Sequence, residues 1–512
     1  MVFRFESCVV DEDRCELRRA GKRVSLEPQV LSILIYLIKN RARVASRDDL
    51  IASVWNGRVV SDSTLSSRIT AVRHAIGDSG ARQRLVRTVA RTGYRFVGAV
   101  TEHTFEEGKR DDDSASRQVE KPSIAVTPFV NLSGDVEQDR FILGIAEDLI
   151  DALTRFQQFS IVPRSVTQPC KDAAQAVLKS GARYVLEGAF RRAGGRVRIT
   201  AQLIDSSTMT LLWTDRFDGH SRNPLNLQDQ VVERLVQAIV PRLERSEHDR
   251  VKGRPLGELD AYSLTLRGIN SLHQWTKDGI DQALRLFRKA TEIDPDFAAA
   301  YAMGSYCYVQ QQSYGWLTDG SRDRAEGARL ARRAAELGAD NALALTRAAH
   351  AISVLGDDLD SGVVLAERAI RLNPQLDVAW YVSGWTMLFA GKPEEACQRL
   401  RRAKQLSVYD RLVFKIDAAA AYTHLFCGRY DDAAAAASSA LRARPNYLTA
   451  MRVAGASNVL AGRVEQGRQF IARMGQLDPK LRMSGLAEIM PFRRPKDFNR
   501  WTEALQTAGL PN

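Results

Sequence analysis

The stretch from Val59 to Phe96 reads VVSDSTLSSRITAVRHAIGDSGARQRLVRTVARTGYRF, and three patterns follow one another within it. Apolar residues first recur at i, i+4, i+7 and i+11, which is the spacing of one face of a helix. A short polar link follows, and then polar and apolar residues roughly alternate around Thr92-Gly93, which is typical of a β-hairpin. The apolar helix positions are Leu65, Ile69, Val72 and Ile76. The stretch therefore predicts a helix with one buried face, followed by a hairpin.

The predicted helix runs from Asp62 to Ile76, and Asp62 or Ser61 can cap it by accepting hydrogen bonds from free backbone N–H groups. Its other face carries small polar side chains, and it is thin enough to enter a major groove and approach base edges. The hairpin arginines keep their charge near neutral pH, so they suit a phosphate backbone or a narrow minor groove. These arginines are Arg87, Arg91 and Arg95. The candidate DNA-binding residues are Ser63, Ser67, Arg68, Thr70, Arg73, His74, Arg87, Thr88, Arg91 and Thr92.

The charge of this region agrees with such a role. Residues 58–95 contain eight arginines and two aspartates, an excess of six positive charges, while the whole chain carries +12. The alternative is a solvated helix and a surface hairpin on an unrelated domain, because charged faces usually indicate exposure only. The order of helix, link and hairpin favours nucleic-acid binding.

Further characteristic residues lie upstream: Phe3 and Phe5, Leu26-Glu27-Pro28 before the apolar run Val30–Ile38, Val44–Leu50 and Val54-Trp55. Within the stretch itself they are Ile76-Gly77-Asp78 and Gly93–Phe96. With them, the first 100 residues resemble the winged-helix DNA-binding domain of the OmpR and ToxR group of bacterial transcription regulators. The resemblance implies that the helix lies in the major groove and that the hairpin around Arg91 reaches the adjacent minor groove. It also implies that the loop Trp55–Val60 faces RNA polymerase.

Two departures from this group concern base contacts. Its members often have arginines where Ser63, Thr70 and Ala71 stand here, and a basic residue where Ala90 stands. We therefore expect affinity to depend on phosphate contacts and DNA shape, with a steep dependence on salt.

The rest of the chain must hold further domains, because 512 residues exceed one core. The longest apolar run, Val30–Ile38, is too short to cross a membrane, and the N-terminus has no signal-peptide pattern. No receiver domain precedes the winged helix, so we expect control to come from the residues behind the linker. The six cysteines include no C-x-x-C pair, which favours free buried thiols over zinc or disulfides.

The segment Pro122–Arg245 alternates short β-like runs with helical ones and predicts an α/β domain. Its string Pro128–Asp135 and the following helix resemble the TolB-N-terminal-like module. Within it, a turn of Asn131, Ser133, Gly134 and Asp135 is either an anion site at a helix N-terminus or a structural turn. The predicted strands are Ile124–Val126, Ile161–Val162, Tyr184–Leu186, Val197–Thr200 and Leu211–Trp213, and the predicted helices are Glu137–Phe156 and Val231–Leu243.

Beyond Leu259 the chain is almost wholly helical, and turn dipeptides recur at intervals of 45, 34, 34, 37 and 34 residues. The dipeptides are Asp294-Pro295, Ala339-Asp340, Asn373-Pro374, Ser407-Val408, Arg444-Pro445 and Asp478-Pro479. The best copy, Asp377–Val408, has Trp380 and Gly384 on a first helix and Ala396, Leu400 and Ala403 on a second. This period resembles tetratricopeptide repeats; the alternative is an Ala-rich bundle without repeats.

Such repeats stack into a superhelix whose concave side can hold a partner. Equally, the chain's own last helix, Asp497–Thr507, or a second copy can fill the groove. In the insertion Gln310–Ser321 we expect Tyr314 and Trp316 to be exposed, as contact sites often are.

The sequence thus predicts a multidomain α+β protein with an N-terminal winged helix-turn-helix, a central α/β domain and a C-terminal all-α tetratricopeptide-repeat superhelix. The expected bounds are 1–100 for the winged helix, 101–121 for a polar linker, 122–245 for the α/β domain and 259–512 for the repeats. This organisation is similar to HilA-type activators.

We therefore expect a cytoplasmic, sequence-specific DNA-binding transcription regulator, with activation the favoured sign. Its expected partners are double-stranded DNA, RNA polymerase, and a protein or a second copy bound through the repeats, with no membrane, cofactor or metal. The alternatives are a repeat scaffold whose winged helix binds protein, and a cyclase-related enzyme. No segment is left over to supply the metal-binding aspartates of a cyclase.

The assignment of the apolar helix face predicts that Leu65→Ala opens a core cavity. We expect the variant to lose about 2–5 kcal/mol of unfolding free energy, measured by urea denaturation. Ser67→Ala, on the opposite face, is the control and should unfold at the parent midpoint. An unchanged midpoint for Leu65→Ala would contradict the assignment of the faces.

Overall fold

A computed structural model describes residues 2–6, 8–11, 16–19, 22–24, 28–55, 60, 62–89, 92–98, 100–103, 121–136, 138–168, 170, 172–193, 196–220, 224–356, 358–407 and 412–512. The expected linker, the loop Trp55–Val60 in large part, and Ser61, Ala90 and Arg91 lie outside these residues. The chain divides into two compact units, Met1–Ser114 and Ala115–Asn512.

The first unit is a winged helix. An antiparallel sheet in the order β4-β3-β2-β1-β7 covers three helices, and β5 and β6 form a separate hairpin. Phe3 and Phe5 point from β1 into the core, where Phe5 meets the ring of Phe96 edge to face, with 5.0 Å between the ring centroids. The elements are β1 Val2–Phe5, β2 Cys8–Asp11, β3 Glu16–Arg19, β4 Lys22–Val24, α1 Pro28–Lys39, α2 Arg47–Trp55, α3 Asp62–Ala75, β5 Val86–Val89, β6 Gly93–Phe96 and β7 Thr101–His103. The predicted helix and hairpin are confirmed.

The second unit begins with the predicted α/β domain. Its sheet has the order β10-β8-β11-β12-β13, with β9 also pairing with β11. Side chains of β8 alternate, so that Ile124 and Val126 face α4 and α7 while Ala125 faces α6 on the other side. The elements are β8 Ser123–Val126, β9 Val130–Asn131, α4 Gln138–Thr154, β10 Ser160–Ile161, α5 Arg164–Thr167, α6 Ala173–Ser180, β11 Tyr184–Ala193, β12 Arg196–Asp205, β13 Thr210–His220 and α7 Pro224–Val251.

The polar stretch Ser246–Glu258, which the expected bounds leave between the α/β domain and the repeats, begins inside α7. Glu247 is 2% exposed, accepts a 2.6 Å hydrogen bond from the hydroxyl of Tyr184, and forms a 2.9 Å ion pair with Arg183. Burial and the carboxylate of Glu247 raise the pKa of Tyr184. The helix continues because this buried network gives its polar residues partners.

The repeats form six helix pairs that run from α8 to α19 in the described residues. Each dipeptide that the sequence singled out lies just after the second helix of a pair, although Val408 is outside the described residues. The helices are α8 Ala261–Leu272, α9 Lys277–Ile293, α10 Ala298–Ser313, α11 Gly320–Leu337, α12 Ala342–Leu355, α13 Leu359–Leu372, α14 Asp377–Phe389, α15 Pro393–Leu406, α16 Val413–Phe426, α17 Tyr430–Ala443, α18 Leu448–Leu460, α19 Val464–Leu477, α20 Leu486–Ile489 and α21 Pro495–Thr507. Turns of 3₁₀ helix lie at Leu256–Glu258 and Met483–Gly485.

The chain's own C-terminal segment covers part of the inner side of the repeats, and it was one of the three occupants left open by the sequence. Trp501 of α21 is fully buried against Tyr422 of α16, with 5.9 Å between ring centroids. Before α21, Phe492 packs on Phe426 at 4.8 Å, and the guanidinium of Arg493 donates two hydrogen bonds, of 2.9 and 3.0 Å, to Asp360.

The expectation that Tyr314 and Trp316 are exposed is wrong. Tyr314 is 9% exposed and Trp316 half-buried, and their rings stack 4.6 Å apart. The insertion turns inward because Arg452, itself fully buried, donates a 2.7 Å hydrogen bond to the carbonyl of Ser313. A local sequence pattern does not reveal such a distant acceptor.

The prediction that the cysteines are free thiols is confirmed for the five described ones. The prediction that all of them are buried is wrong. Cys8, Cys170 and Cys307 are buried, whereas Cys397 and Cys427 are half-buried.

The paired helices approach closely through small residues. A Cβ added to Gly384 of α14 would lie 2.6 Å from Cγ of Leu400 on α15, a side chain that is 1% exposed. Gly268, Gly304 and Gly455 lie at corresponding places in other pairs, facing Phe287, Leu330 and Ile471. The spacing of the repeat helices therefore depends on these positions.

We expect Gly384→Val to overpack this contact and to cost about 1–3 kcal/mol of stability, seen as a lower thermal midpoint by circular dichroism. Gly475→Val on α19 is the matched control, because no atom lies within 4 Å of a Cβ at that position. Equal midpoints for the two variants would show that the helix pair does not need a small residue at Gly384.

Candidate DNA-binding surface

Helix α3 buries one face and exposes the other, as the sequence predicted. Its apolar positions are between 0 and 3% exposed. These positions are Leu65, Ile69, Val72 and, just after the helix, Ile76. On the opposite side Ser67, Thr70 and His74 are exposed and Arg68 is half-buried. The hydroxyl of Thr70 donates a 2.9 Å hydrogen bond to the carbonyl of Ser66, one turn earlier.

Ser63 lies in α3, but its side chain is not among those described. The exposed face therefore presents a hydroxyl, a second hydroxyl already bonded to its own helix, and an imidazole. These groups are small, so the backbone of α3 can approach base edges closely.

The wing hairpin places two arginines opposite each other. In the β5–β6 ladder Arg87 pairs with Arg95 and Thr88 with Tyr94, and both arginines are exposed. The guanidinium of Arg95 donates a 3.0 Å hydrogen bond to the carbonyl of Arg41. Like charges directly opposite on a ladder destabilise it, and an anion such as a phosphate relieves that repulsion. Thr88 and Thr92 are exposed as well.

Arg73, which the sequence analysis placed among the candidate DNA-binding residues, is not exposed. It is 7% exposed, and its Nε and Nη2 donate hydrogen bonds of 3.0 and 2.9 Å to the carbonyl of Val86. Nη2 also donates to the hydroxyl of Thr88 at 2.8 Å. The side chain thus joins α3 to the wing, and we leave it out of the candidate surface. The expectation failed because the long side chain of a residue at the edge of a helix face can fold back onto a neighbouring strand.

Asp78 holds the link between α3 and the wing. It is 8% exposed, and its carboxylate accepts hydrogen bonds from the backbone N–H groups of Ser79, Arg84, Leu85 and Val86, at 2.8 to 3.0 Å. Burial raises the pKa of this carboxyl, but the four donors outweigh burial and hold the pKa below its ordinary value. The sequence analysis named Asp78 as part of the family resemblance without giving its role. The pattern that could have indicated this role is an acidic residue directly after the glycine that ends a helix.

The wing is also anchored at its turn. Gly93 has φ of +149°, and a Cβ there would lie 2.0 Å from the carbonyl oxygen of Ala45. The backbones of Ala45 and Tyr94 exchange hydrogen bonds of 2.8 and 2.9 Å at this place. Glycine is thus required by the close approach of two backbones as well as by the turn.

Helix α2 begins with a reciprocal cap, directly after the Ala45 end of the backbone pair between Ala45 and Tyr94. The hydroxyl of Ser46 accepts from the N–H of Asp49 at 3.1 Å, and the carboxylate of Asp49 accepts from the N–H of Ser46 at 3.0 Å. The guanidinium of Arg43, 2.7 Å away, and these serine bonds lower the pKa of Asp49 to about 2.

In the α/β domain, the turn at Asn131 is a structural one. Its amide donates to the carbonyl of Asp135 at 2.9 Å and to the carboxylate of Asp139 at 2.7 Å, and its side-chain oxygen accepts from the N–H of Ser133. The hydroxyl of Ser133 accepts from the N–H of Arg192 at 3.0 Å. The polar groups that were candidates for an anion are thus used within the fold.

Among the residues that the structure describes, no group of three or more His, Cys, Asp and Glu could hold a metal ion. No helix in this described part of the chain has the length and apolar character needed to cross a membrane.

Comparison with known proteins agrees with this geometry. Residues 21–96 match the family "Transcriptional regulatory protein, C terminal", and residues 120–234 match "HilA/YgeH-like transcriptional regulator, second domain". The chain is 23% identical to the transcriptional regulator HilA of Salmonella typhi over 79% of its own length and 70% of HilA. It is 27% identical to the transcriptional activator CadC of Escherichia coli over 18% of its length and 19% of CadC.

A third relative bears on the enzyme alternative. Over 186 residues the chain is 38% identical to a protein described as adenylate cyclase 3 of Rhizobium meliloti, an alignment that covers 36% of this chain and 32% of that protein. The chain thus spans about a third of that relative.

The fold of the first unit, the α3 surface and the match of residues 21–96 identify a winged-helix DNA-binding domain of the OmpR/PhoB type, as found in transcription regulators. The chain is similar to HilA over most of its length, and it combines this winged helix with a second domain that matches the HilA/YgeH-like model and with a C-terminal superhelix of paired, tetratricopeptide-like helices.

We expect Asp78→Ala to leave four backbone N–H groups without their acceptor, with about 1–3 kcal/mol lost for each one that stays buried. Because the folded pKa lies below the unfolded value of about 3.9, the stabilisation is present above that pH and is lost as the pH falls through the folded pKa. Urea denaturation of the N-terminal unit between pH 3 and 7 measures both effects.

The control for this experiment is Asp48→Ala, which removes an exposed carboxylate from α2. It should keep the stability and the acid sensitivity of the parent. If Asp78→Ala behaves like the control at neutral pH, the carboxylate does not hold the link.

Proposed function

We propose that this chain is a cytoplasmic, sequence-specific DNA-binding regulator that activates transcription, with α3 in the major groove and the β5–β6 wing on the adjacent minor groove. The observation that carries the proposal is the exposed face of α3 beside a wing whose Arg87 and Arg95 are paired across the ladder. We propose a cytoplasmic location because the protein reaches its target, promoter DNA, in that compartment. Activation is proposed by analogy with CadC, which is described as an activator.

The proposed contacts divide into two kinds. Ser67, Thr70 and His74 approach base edges, because small groups let the helix enter the groove deeply. Arg68, Arg87, Thr88 and Thr92 contact phosphates, and we keep Ser63 and Arg91 as proposed contacts on sequence grounds. With a single guanidinium near the reading face, affinity depends mainly on phosphate neutralisation, so binding should weaken steeply as salt rises.

We also propose protein partners. RNA polymerase is proposed at the loop Trp55–Val60, and a partner protein or a second copy at the repeats. Copies on tandem half-sites would raise each other's occupancy through weak contacts between their C-terminal units, because the second binding event becomes intramolecular. This proposal also includes the absence of enzymatic activity and the domain bounds 1–100, 122–245 and 259–512.

Selection of randomised duplex DNA by the full chain, read by sequencing across a salt series, tests the proposal. An enriched motif, recurring in tandem, supports a regulator and gives its operator. Salt-sensitive retention without enrichment would overturn sequence specificity. No retention at any salt concentration would favour the scaffold alternative, in which the winged helix binds protein.

We expect Arg87→Ala to weaken binding to the enriched duplex and to lower the slope of log K against log salt by about 0.9, the value for one phosphate contact. Fluorescence anisotropy with a labelled duplex measures both quantities. Arg368→Ala, an exposed arginine on α13, is the matched control and should bind as the parent does. An Arg87→Ala slope equal to that of the control would remove the wing from the interface.

A further inference from the structure

A set of cationic and aromatic side chains lies inside the repeat superhelix, on the first helices α10, α12 and α16 of three pairs and in the turn between α8 and α9. We call it the cationic cluster: Trp275, Tyr306, Arg347, His350 and Lys415. Lys415 is 4% exposed, and its Nζ donates a 2.7 Å hydrogen bond to the hydroxyl of Tyr306. The guanidinium of Arg347 lies 4.1 Å from the centroid of the same ring. Two positive charges therefore meet at one tyrosine.

The cluster contains unused hydrogen-bonding groups. Among the described residues, neither Nε of Arg347 nor Nδ1 of His350 has a partner, although both atoms are buried and His350 is 7% exposed. None of the ion pairs found in that part of the chain includes Arg347. A buried polar group without a partner lowers stability, and more so when it is charged. An orphaned group of this kind commonly marks an ion or ligand.

The surroundings of the cluster are aromatic. The ring of His350 lies 5.9 Å from that of Tyr306 and 6.3 Å from that of Tyr381. Nζ of Lys415 is 3.8 Å from the centroid of Trp275, whose ring meets Phe414 at 6.3 Å. Such walls suit the apolar body of a small molecule, while the cations suit its charge.

Trp275 lies at the outer edge of the cluster, in the turn between α8 and α9, and is half-buried. Its φ is +56°, a left-handed conformation that is rare and costly for a bulky residue. The strained turn holds the indole over Lys415.

We infer that the cationic cluster is a binding site for a small organic carboxylate, held by Arg347 and Lys415 and oriented by His350. A guanidinium edge that includes Nε pairs with both oxygens of a carboxylate in a planar fork. The imidazole adds a donor through Nδ1, and the aromatic walls hold the apolar part. This inference is independent of DNA binding, so either can fail alone.

The cations also act on His350 itself. Burial, together with Arg347 and Lys415, lowers the pKa of His350 to about 3. The ring is therefore neutral at physiological pH, and a bound anion would offset the two cations and raise this pKa. Binding thus has a spectroscopic signature besides affinity.

Titration calorimetry of the full chain with benzoate, acetate and inorganic phosphate tests the inference. We expect benzoate to bind at one site per chain, more tightly than acetate, and to raise the thermal midpoint. In ¹³C-labelled histidine spectra, saturation with benzoate should shift the His350 signal, assigned with His350→Phe. Absence of one-site binding by either carboxylate would overturn the inference, as would binding of phosphate alone.

Variants at Arg347 make the test specific. Arg347→Met should weaken benzoate binding at least tenfold and, in the absence of benzoate, keep or raise the thermal midpoint, because a buried Nε without a hydrogen-bond partner is removed. Arg347→Lys keeps the charge but lacks the planar fork, so it should also bind more weakly, and it serves if Arg347→Met does not fold. Arg285→Met, an exposed arginine on α9, is the matched control. Parent-like affinity in both Arg347 variants would exclude this site.

Discussion

The DNA-binding surface depends on one carboxylate. Asp78 collects four backbone N–H groups from the link and from the first residue of β5, and its own N–H donates a 2.8 Å hydrogen bond to the carbonyl of Arg73 at the end of α3. Arg73 returns the connection by donating to the carbonyl of Val86. These hydrogen bonds thereby fix the C-terminal end of α3 to the start of β5, and so fix the helix to the wing. The proposed contacts to two adjacent grooves need such a fixed relation, because a small displacement of one element misplaces the other.

The C-terminal unit follows a different constraint, the distance between paired helices. Gly384 against Leu400 shows it most clearly, since a Cβ at position 384 would lie 2.6 Å from Cγ of Leu400. Stacking such pairs creates an inner surface that no single pair can cover. Here α21 and the segment before it cover part of that surface with Phe492 and Trp501, and another part keeps buried cations. The inner side of the superhelix thus combines an apolar region, filled by the chain itself, with a polar region that retains unpaired donors.

Much of this architecture could be predicted locally. The face of α3 followed from a periodicity of apolar residues, and the hairpin from alternation around Thr92-Gly93. The repeats followed from the period of the turn dipeptides. The candidate surface was only partly predictable: Ser67, Thr70 and His74 are exposed as expected, whereas Arg73 is used internally. A helical wheel gives the direction of the Cβ atom, but a guanidinium reaches several ångströms further and selects the strongest acceptor nearby.

The sequence by itself determined the order of domains, the buried face of each helix and the positions of the turns, because these depend on spacing and on backbone preferences within a few residues. Only the tertiary structure decided that Tyr314, Arg73 and Arg452 are buried. It also decided that α7 continues through Glu247 and that Arg347 and Lys415 lie at the same tyrosine. Each of these is a contact between residues distant in the chain. Burial and hydrogen bonding of polar groups depend on which partner folding brings within about 3 Å, and no local pattern encodes that distance.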